Sequence, residues 1–139
     1  MKIKDIMTEN VQVANKTDSV LDIAKMMKTH DCGSIPVAEN DKLVGMITDR
    51  DIVLRCVCES CDPQDMTAGE CMSSKILYCR GSDNPEDVLK NMGEQAIRRL
   101  PVVDENKRLI GIVSFGDLSA ACNDKASAGR AMEDIREAA

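Results

Sequence analysis

Aromatic side chains are almost missing from this chain of 139 residues: Tyr78 and Phe115 are the two aromatic residues, and tryptophan does not occur. Proteins that bind single-stranded nucleic acid or read RNA bases depend on aromatic side chains for stacking. The formal net charge of -6 at pH 7 also opposes binding to a phosphate backbone. We therefore expect no nucleic-acid partner.

Long apolar runs are missing as well. The longest aliphatic stretch covers residues 109–113, whereas about 18 to 20 apolar residues are needed to cross a bilayer. The first seven residues contain Asp5 and no continuous apolar segment, so they do not resemble a secretory signal. We expect no membrane span and a cytoplasmic location.

Catalytic signatures are missing too. The sequence has a single histidine, His30, and no phosphate loop, dinucleotide-binding fingerprint, H-E-x-x-H motif or nucleophile elbow. Any Cys/His dyad or multi-histidine metal site would have to be built around His30. We therefore expect no enzyme activity and no required cofactor.

Cysteine, in contrast, is abundant, with seven residues. An odd number cannot pair completely within the chain, and a reducing compartment favours free thiols. The spacing of Cys56, Cys58 and Cys61, followed by Cys71, is similar to that of a thiolate metal site, but the usual paired C-x-x-C signature is missing. We expect no metal site, and a thiol-based redox or metal sensor remains an alternative function with these four cysteines as its candidates.

The sequence contains two copies of one pattern, which decides the architecture. Residues 6–8, 18–20 and 35–37 recur as residues 71–73, 83–85 and 100–102, each at a spacing of 65. Residues 45–51 recur as 111–117 at a spacing of 66, because the turn at 104–108 is one residue longer. The boundaries predicted from this repetition are 1–58 for the first repeat, 59–66 for a linker, 67–122 for the second repeat and 123–139 for a helical tail.

Each copy predicts the order β-α-β-β-α. A short strand (11–13, and 76–78 in the second copy) precedes a helix whose apolar stripe includes Val20, Ile23 and Met27, with Ser19 and Asn84 as N-caps. A hairpin follows at 34–38 and 43–48, and then a second helix from Asp49 to about Cys56, matched by Phe115 to about Cys122. The fold class is therefore α+β.

Two short segments lie outside this pattern. Thr67 and Glu70 fit a capping box that opens a short helix after the linker. In the tail, Ala128, Ala131, Met132 and Ile135 form a modest apolar stripe. The stripe fits packing either on the domain or on a second subunit, and the sequence does not decide between them.

The motif Gly-x-x-(Thr/Ser)-x-x-Asp occurs in both copies where a strand leads into a helix. Its polar residues are Thr48 and Asp51 in the first copy and Ser114 and Asp117 in the second. The structural interpretation is a capping box at each helix start. The functional interpretation is a nucleoside phosphate site, because a helix N-terminus attracts phosphate and an aspartate can accept hydrogen bonds from a ribose diol. The two interpretations are compatible.

Together, two tandem copies of (Ile/Cys)-Met-(Thr/Ser), (Ile/Leu)-Pro-Val and this motif closely resemble a pair of cystathionine β-synthase (CBS) domains, the Bateman module, over about residues 1–122. The resemblance implies two repeats related by a pseudo-two-fold axis, with two clefts between them. It also implies a non-catalytic regulatory module that senses an adenine nucleotide (AMP, ADP, ATP or a related adenosyl ligand). Homodimers are usual in the family, so we expect a homodimer, and an unknown protein effector for a stand-alone module.

The resemblance carries over site residues as well. Thr48 and Ser114 are implied to contact phosphate or ribose, and Asp51 and Asp117 to hold the ribose diol. The adenine is implied to lie near aliphatic side chains and backbone around Val13, Ile35 and Pro36 in one copy and around Tyr78, Leu100 and Pro101 in the other.

The two copies differ in basic residues: Arg98 and Arg99 precede Leu100, whereas Gly33 and Ser34 stand at the equivalent positions of the first copy. In comparable pairs a basic residue at this position faces phosphate in the cleft of the other repeat. We therefore predict that Arg98 or Arg99 strengthens the site of Thr48 and Asp51. The alternative is that these arginines pair with surface carboxylates. A purely structural interaction module is a third possible function.

Overall fold

A computed structural model of the chain describes residues 1–122, 129–133 and 135. The described part has mixed α+β content with two three-stranded sheets, which confirms the predicted fold class. Its strands are β1 (Ala14–Asn15), β2 (Ser34–Glu39), β3 (Lys42–Thr48), β4 (Cys79–Arg80), β5 (Arg99–Val103) and β6 (Leu109–Ser114). Its helices are α1 (Val20–His30), α2 (Asp49–Ile52), which continues as a π-helical turn (Val53–Val57), α3 (Ala68–Cys71), α4 (Pro85–Gln95) and α5 (Phe115–Ala121).

The chain divides into two compact units whose membership crosses the sequence repeat. The central unit is Gln12–Ile76, and the terminal unit is Met1–Val11 with Leu77–Ala139. The opening segment of each sequence copy thus belongs to the unit built around the other copy. In the terminal unit Thr8 exchanges backbone hydrogen bonds with Ile112 on β6, and in the central unit Ser73 does the same with Met46 on β3.

The central unit is organised around the sheet β1-β2-β3, in which β1 runs parallel and β3 antiparallel to β2. Alternate residues of the hairpin are fully buried, as the period of two in a strand requires. They pack against the apolar face of α1 in a core that includes Val20, Ile23, Ile35, Val37 and Ile47.

The terminal unit repeats this arrangement with the sheet β4-β5-β6. Its core includes Leu89 and Met92 from α4, Leu100 and Val113 from the hairpin, and Leu118 from α5. Ile3, in a 3-10 turn near the N-terminus, is fully buried in the same core. This anchors the N-terminal segment in the terminal unit.

The predicted helix starts are confirmed. Ser19 accepts a hydrogen bond from the Asp22 amide, and Asn84 from the Glu86 amide with Pro85 in the first turn. Thr67 and Glu70 form the expected capping box. These caps satisfy amide groups that have no partner inside the helix.

The predicted first strands begin three residues too early in both copies. Pairing occurs at Ala14–Asn15 and Cys79–Arg80 instead of 11–13 and 76–78. Ala14 is fully buried and Cys79 is 5% exposed, whereas Val13 is 39% and Tyr78 37% exposed. The predicted segments 11–13 and 76–78 therefore lie outside the sheets. Each observed strand begins at a buried residue, Ala14 in one unit and Cys79 in the other.

The apolar stripe of the tail is partly buried within the terminal unit. Ala131 and Ile135 are 3% and 4% exposed, while Met132 is 39% exposed. Ala131 approaches Gly93 of α4 so closely that a Cβ at Gly93 would lie 2.7 Å from its Cα atom. The tail thus packs on its own domain at these positions, and Ala128 lies outside the described residues.

No helix in the described part of the chain combines the length and the apolar character that crossing a bilayer requires.

Candidate functional site

The repeated motif forms a capping box in each unit. At the start of α2 the Asp51 amide donates to Thr48 Oγ1 at 3.0 Å, and the Thr48 amide donates to Asp51 Oδ2 at 2.9 Å. At the start of α5 the corresponding distances for Asp117 and Ser114 are 3.1 and 3.0 Å. The structural interpretation of the motif is confirmed.

Each capping box uses only part of the hydrogen-bonding capacity of its side chains. The backbone bond engages Oδ2 of the aspartate in both boxes, and a carboxylate has lone pairs on both oxygens. Both aspartates are half-buried, with 16% of the Asp51 side chain exposed. Each box therefore holds one carboxylate in a fixed orientation at the surface of its unit, with Oδ2 engaged in the backbone hydrogen bond.

The glycine of each motif is required by a close approach of the chain, which sequence reasoning missed. A Cβ at Gly111 would lie 2.7 Å from Met7 Sδ and 2.8 Å from the Thr8 carbonyl oxygen. A Cβ at Gly45 would overlap Met72 Sδ and lie 2.9 Å from the Ser73 carbonyl oxygen. A signal for this contact is present in the sequence, because the motif glycine and the Met-(Thr/Ser) pair both recur in the second copy.

Arg55 is a second residue that the motif search missed. Its guanidinium donates to the carbonyl oxygens of Cys71 and Met72, both at 2.9 Å, and lies 4.0 Å from Asp51 Oδ1. One arginine thus connects the helix that carries Asp51 to the end of α3. The spacing of Arg55 from Asp51 is one helical turn, which is the signal that could have identified the pair.

The two predicted arginines are exposed, but they differ in position. Arg99 begins β5 and is paired with Ser114 on β6. Arg98 lies just before the strand, and its carbonyl oxygen accepts the Phe115 amide at 2.8 Å. In the central unit Ser34 is paired with Thr48, so the corresponding residue pair carries no positive charge.

The apolar candidates divide into exposed and buried residues. Val13 and Tyr78 are more than one-third exposed, and the Lys107 ammonium lies 5.5 Å from the centre of the Tyr78 ring. The side chains of Ile35 and Leu100 are in the cores of their units, at 0% and 1% exposure. The adjacent prolines, Pro36 and Pro101, are buried as well. These four residues therefore lie in the interior of their units and contribute little to the accessible surface.

The four candidate cysteines are not arranged as a metal centre. Cys58 and Cys61 are exposed, whereas Cys56 and Cys71 are fully buried. Burial raises the pKa of both buried thiols, and nearby Asp51 raises that of Cys71 further. Among residues 1–122, 129–133 and 135, no group of three or more His, Cys, Asp or Glu side chains converges as metal ligands would.

Comparison with known proteins connects this geometry to a family. The family model for the CBS domain matches residues 3–57 and again residues 68–124. The CBS domain-containing protein YhcV of Bacillus subtilis is 39% identical over 133 residues, which cover 96% of this chain and 94% of that protein.

Two solved structures extend the comparison. The crystal structure of Hypoxic Response Protein I with two coordinated zinc ions has a TM-score of 0.79 and 34% sequence identity, covering 88% of this chain and 99% of that one. The crystal structure of CBSX2 in complex with AMP has a TM-score of 0.75 and 29% identity, covering 86% and 94% of the two chains.

Proposed function

This chain belongs to the CBS domain family, and from that premise we propose that it is a non-catalytic regulatory module that binds an adenine nucleotide. The observation that carries the proposal is the pair of capping boxes, each of which holds an aspartate at the junction of a strand and a helix. CBSX2, a structural relative, is known with AMP bound. This agreement supports AMP or a related adenosyl ligand as the occupant.

We assign the roles of the site residues as follows. Thr48 and Ser114 contact phosphate or ribose, since a capping hydroxyl can turn part of its bonding to a ligand. Oδ1 of Asp51 and of Asp117 accepts hydrogen bonds from the ribose diol while Oδ2 keeps the cap. Arg98 or Arg99 contacts phosphate.

The base is assigned to exposed apolar side chains and to backbone. We assign the exposed side chains of Val13 and Tyr78, at 39% and 37% exposure, to contact with the adenine ring. Ile35, Pro36, Leu100 and Pro101 are buried, and we assign their strand segments, through side chain and backbone, to the same adenine site. The net charge of -6 disfavours a highly charged polyphosphate, so AMP or ADP is preferred to ATP.

Regulation follows if the nucleotide binds one conformation better than another, since a ligand shifts an equilibrium only by its differential affinity. We propose that the change is transmitted to a protein effector and through a homodimer. The π-helical turn offers a surface for a second copy, with Val53, Leu54 and Val57 between 47% and 64% exposed. Light scattering on the wild type and on Val57→Asp tests this: a dimer that becomes a monomer supports it, and a monomeric wild type contradicts it.

A thermal-shift panel tests the proposed ligand. The reduced protein is heated with AMP, ADP, ATP, S-adenosylmethionine, NAD and GTP, each at saturating concentration. A ligand present at 100 times its dissociation constant stabilises the fold by about 2.7 kcal/mol, which is visible as a higher midpoint. A shift with an adenosyl ligand and none with GTP supports the proposal, and no shift with any of them contradicts it.

A further inference from the structure

The helix that begins at Asp51's capping box ends in a Schellman motif. The amide of Cys61 donates to the Cys56 carbonyl oxygen at 2.9 Å, and the amide of Ser60 to the Val57 carbonyl oxygen at 3.1 Å. Ser60 has a φ of 57°, in the left-handed position that glycine usually occupies in this motif. The backbone therefore turns back at the end of the helix and brings residue 61 close to residue 56.

The two residues that this motif brings together are both cysteines. Side chains at these two positions of a Schellman motif commonly contact each other. Here Cys56 Sγ lies 3.4 Å from the Cys61 carbonyl oxygen. Cys56 is fully buried and Cys61 is exposed, so only one of the two sulfurs faces solvent directly.

We propose that Cys56 and Cys61 form a reversible intramolecular disulfide when the protein meets a peroxide. Nothing in the nucleotide assignment uses these residues, so the proposal goes beyond the proposed function. The disulfide would join two residues at the end of the helix whose first turn carries Asp51. One of them, Cys56, directly follows Arg55.

The reaction balances in two steps. The exposed Cys61 thiolate attacks hydrogen peroxide, which breaks the O–O bond, gives a sulfenic acid and releases hydroxide that is protonated to water. The Cys56 sulfur then attacks the Cys61 sulfur and forms the S–S bond, and the Cys56 proton leaves with the displaced hydroxyl group as a second water. Both sulfurs are oxidised and the peroxide is reduced. A dithiol reductant restores the two thiols by exchange at the accessible sulfur of Cys61.

The neighbouring thiols do not share this arrangement. Cys58 is exposed but is two residues from Cys56 on a helical segment, and positions i and i+2 do not face each other. Cys71 is fully buried and comes from α3, so peroxide does not reach it as it reaches Cys61. Burial raises the pKa of Cys56, which favours its neutral thiol, so that the exposed Cys61 is the first of the two to react with peroxide.

Disulfide mapping on the full chain tests the proposal. The Cys58→Ser variant and the wild type are treated with stoichiometric hydrogen peroxide, free thiols are blocked, and the protein is digested without reduction by an endoproteinase that cleaves after glutamate. Cleavage after Glu59 separates Cys56 from Cys61, and cleavage after Glu70 separates both from Cys71. We expect one cross-linked peptide pair that joins Cys56 to Cys61 and disappears on reduction.

Cys61→Ser is the matched control, because Cys61 is exposed and its substitution leaves the core intact. It should yield no peroxide-dependent cross-link to Cys56. Three results would overturn the proposal: a cross-link from Cys61 to Cys71, one between two chains, or stable oxidation of Cys61 with Cys56 still a free thiol in the Cys58→Ser variant.

Discussion

Arg99 on β5 is paired with Ser114 on β6 in the sheet of the terminal unit. This cross-strand pair combines a guanidinium with a capping hydroxyl. Side chains of directly opposed residues in an antiparallel pair lie on one face, about 4.5 to 5.5 Å apart at Cβ. The equivalent pair in the central unit is Ser34 and Thr48, which has no charge. The two capping boxes therefore differ in charge, since a guanidinium is paired with Ser114 and no cation is paired with Thr48.

Removal of Arg99 should weaken phosphate binding specifically. Arg99→Ala is expected to lower the affinity for AMP about tenfold, the effect of losing one charge-assisted hydrogen bond of roughly 1.5 kcal/mol. Affinity for adenosine, which has no phosphate, should stay the same. Arg108→Ala serves as the matched control, since Arg108 is an exposed arginine in the β5–β6 turn. Equal AMP affinity in Arg98→Ala, Arg99→Ala and the wild type would contradict the phosphate role.

A double-mutant cycle then decides which box the arginine serves. Sequence reasoning predicts that Arg98 or Arg99 supports Asp51, whereas the pairing within its own unit puts Arg99 beside Ser114. Groups that share one ligand give non-additive losses. Arg99→Ala is therefore combined with Asp51→Asn and, separately, with Asp117→Asn, and AMP affinity is measured. Non-additivity with Asp51→Asn is the predicted result. Non-additivity with Asp117→Asn alone would instead assign Arg99 to the capping box of Ser114 and Asp117.

Asp51→Asn should separate capping from binding. The amide oxygen can still accept the Thr48 N–H, so the ligand-free stability should fall by less than the roughly 1 kcal/mol that a lost cap costs. The increase in melting midpoint with AMP should be reduced or lost, because the carboxylate proposed to accept from the ribose diol is gone. Asp49→Asn is the control, since Asp49 is an exposed aspartate in the same first turn. An unchanged AMP response in Asp51→Asn would assign this residue to the cap alone.

Gly111→Ala should destabilise the terminal unit. The added methyl group would lie 2.8 Å from the Thr8 carbonyl oxygen, so the N-terminal segment would have to move away from β6. Overpacking of this kind costs about 1 to 3 kcal/mol. Chemical denaturation measures the loss. Gly129→Ala is the control: no described atom lies within 4 Å of a Cβ there, and alanine favours a helix over glycine by up to about 1 kcal/mol.

Cys79 should make the stability fall at high pH. Burial raises the pKa of its thiol to about 12, from 9.0 in the unfolded chain. The folded state therefore keeps a proton that the unfolded state loses, so this contribution is complete below pH 9 and is lost as the pH rises toward 12. Denaturation at pH 8 and pH 10 should show a steeper decline in the free energy of unfolding of the wild type than of Cys79→Ala. Alanine is a suitable replacement because Ala14 stands at the equivalent position of the central unit. Equal declines would contradict a buried neutral thiol.

The sequence predicts the regular elements well because their signals are local. Capping residues placed the starts of α1 and α4, and the β-rich runs placed the first hairpin within one residue of its observed bounds. The first strands were misplaced because Ala14 and Asn15 have low β propensity and pair only through parallel contact with β2, which is not a local property.

The exchange of opening segments between units had no local signal either. Thr8 bonds to Ile112 and Ser73 to Met46, and such pairings depend on tertiary structure. For the candidate site, the capping boxes were predictable from four-residue motifs. The burial of Ile35 and Leu100, and the position of Arg55 beside Asp51, required the folded structure.

Titration calorimetry with AMP tests the central claim most directly. The reduced wild type and the double variant Asp51→Asn/Asp117→Asn are compared at equal concentration, with Asp49→Asn, which removes one exposed carboxylate of the same helical turn, as the control. The account predicts saturable binding by the wild type and by the control, and loss of that binding in the double variant. Wild-type protein that releases no heat with AMP and shows no change in melting midpoint, or a double variant that binds as tightly as the wild type, would contradict it.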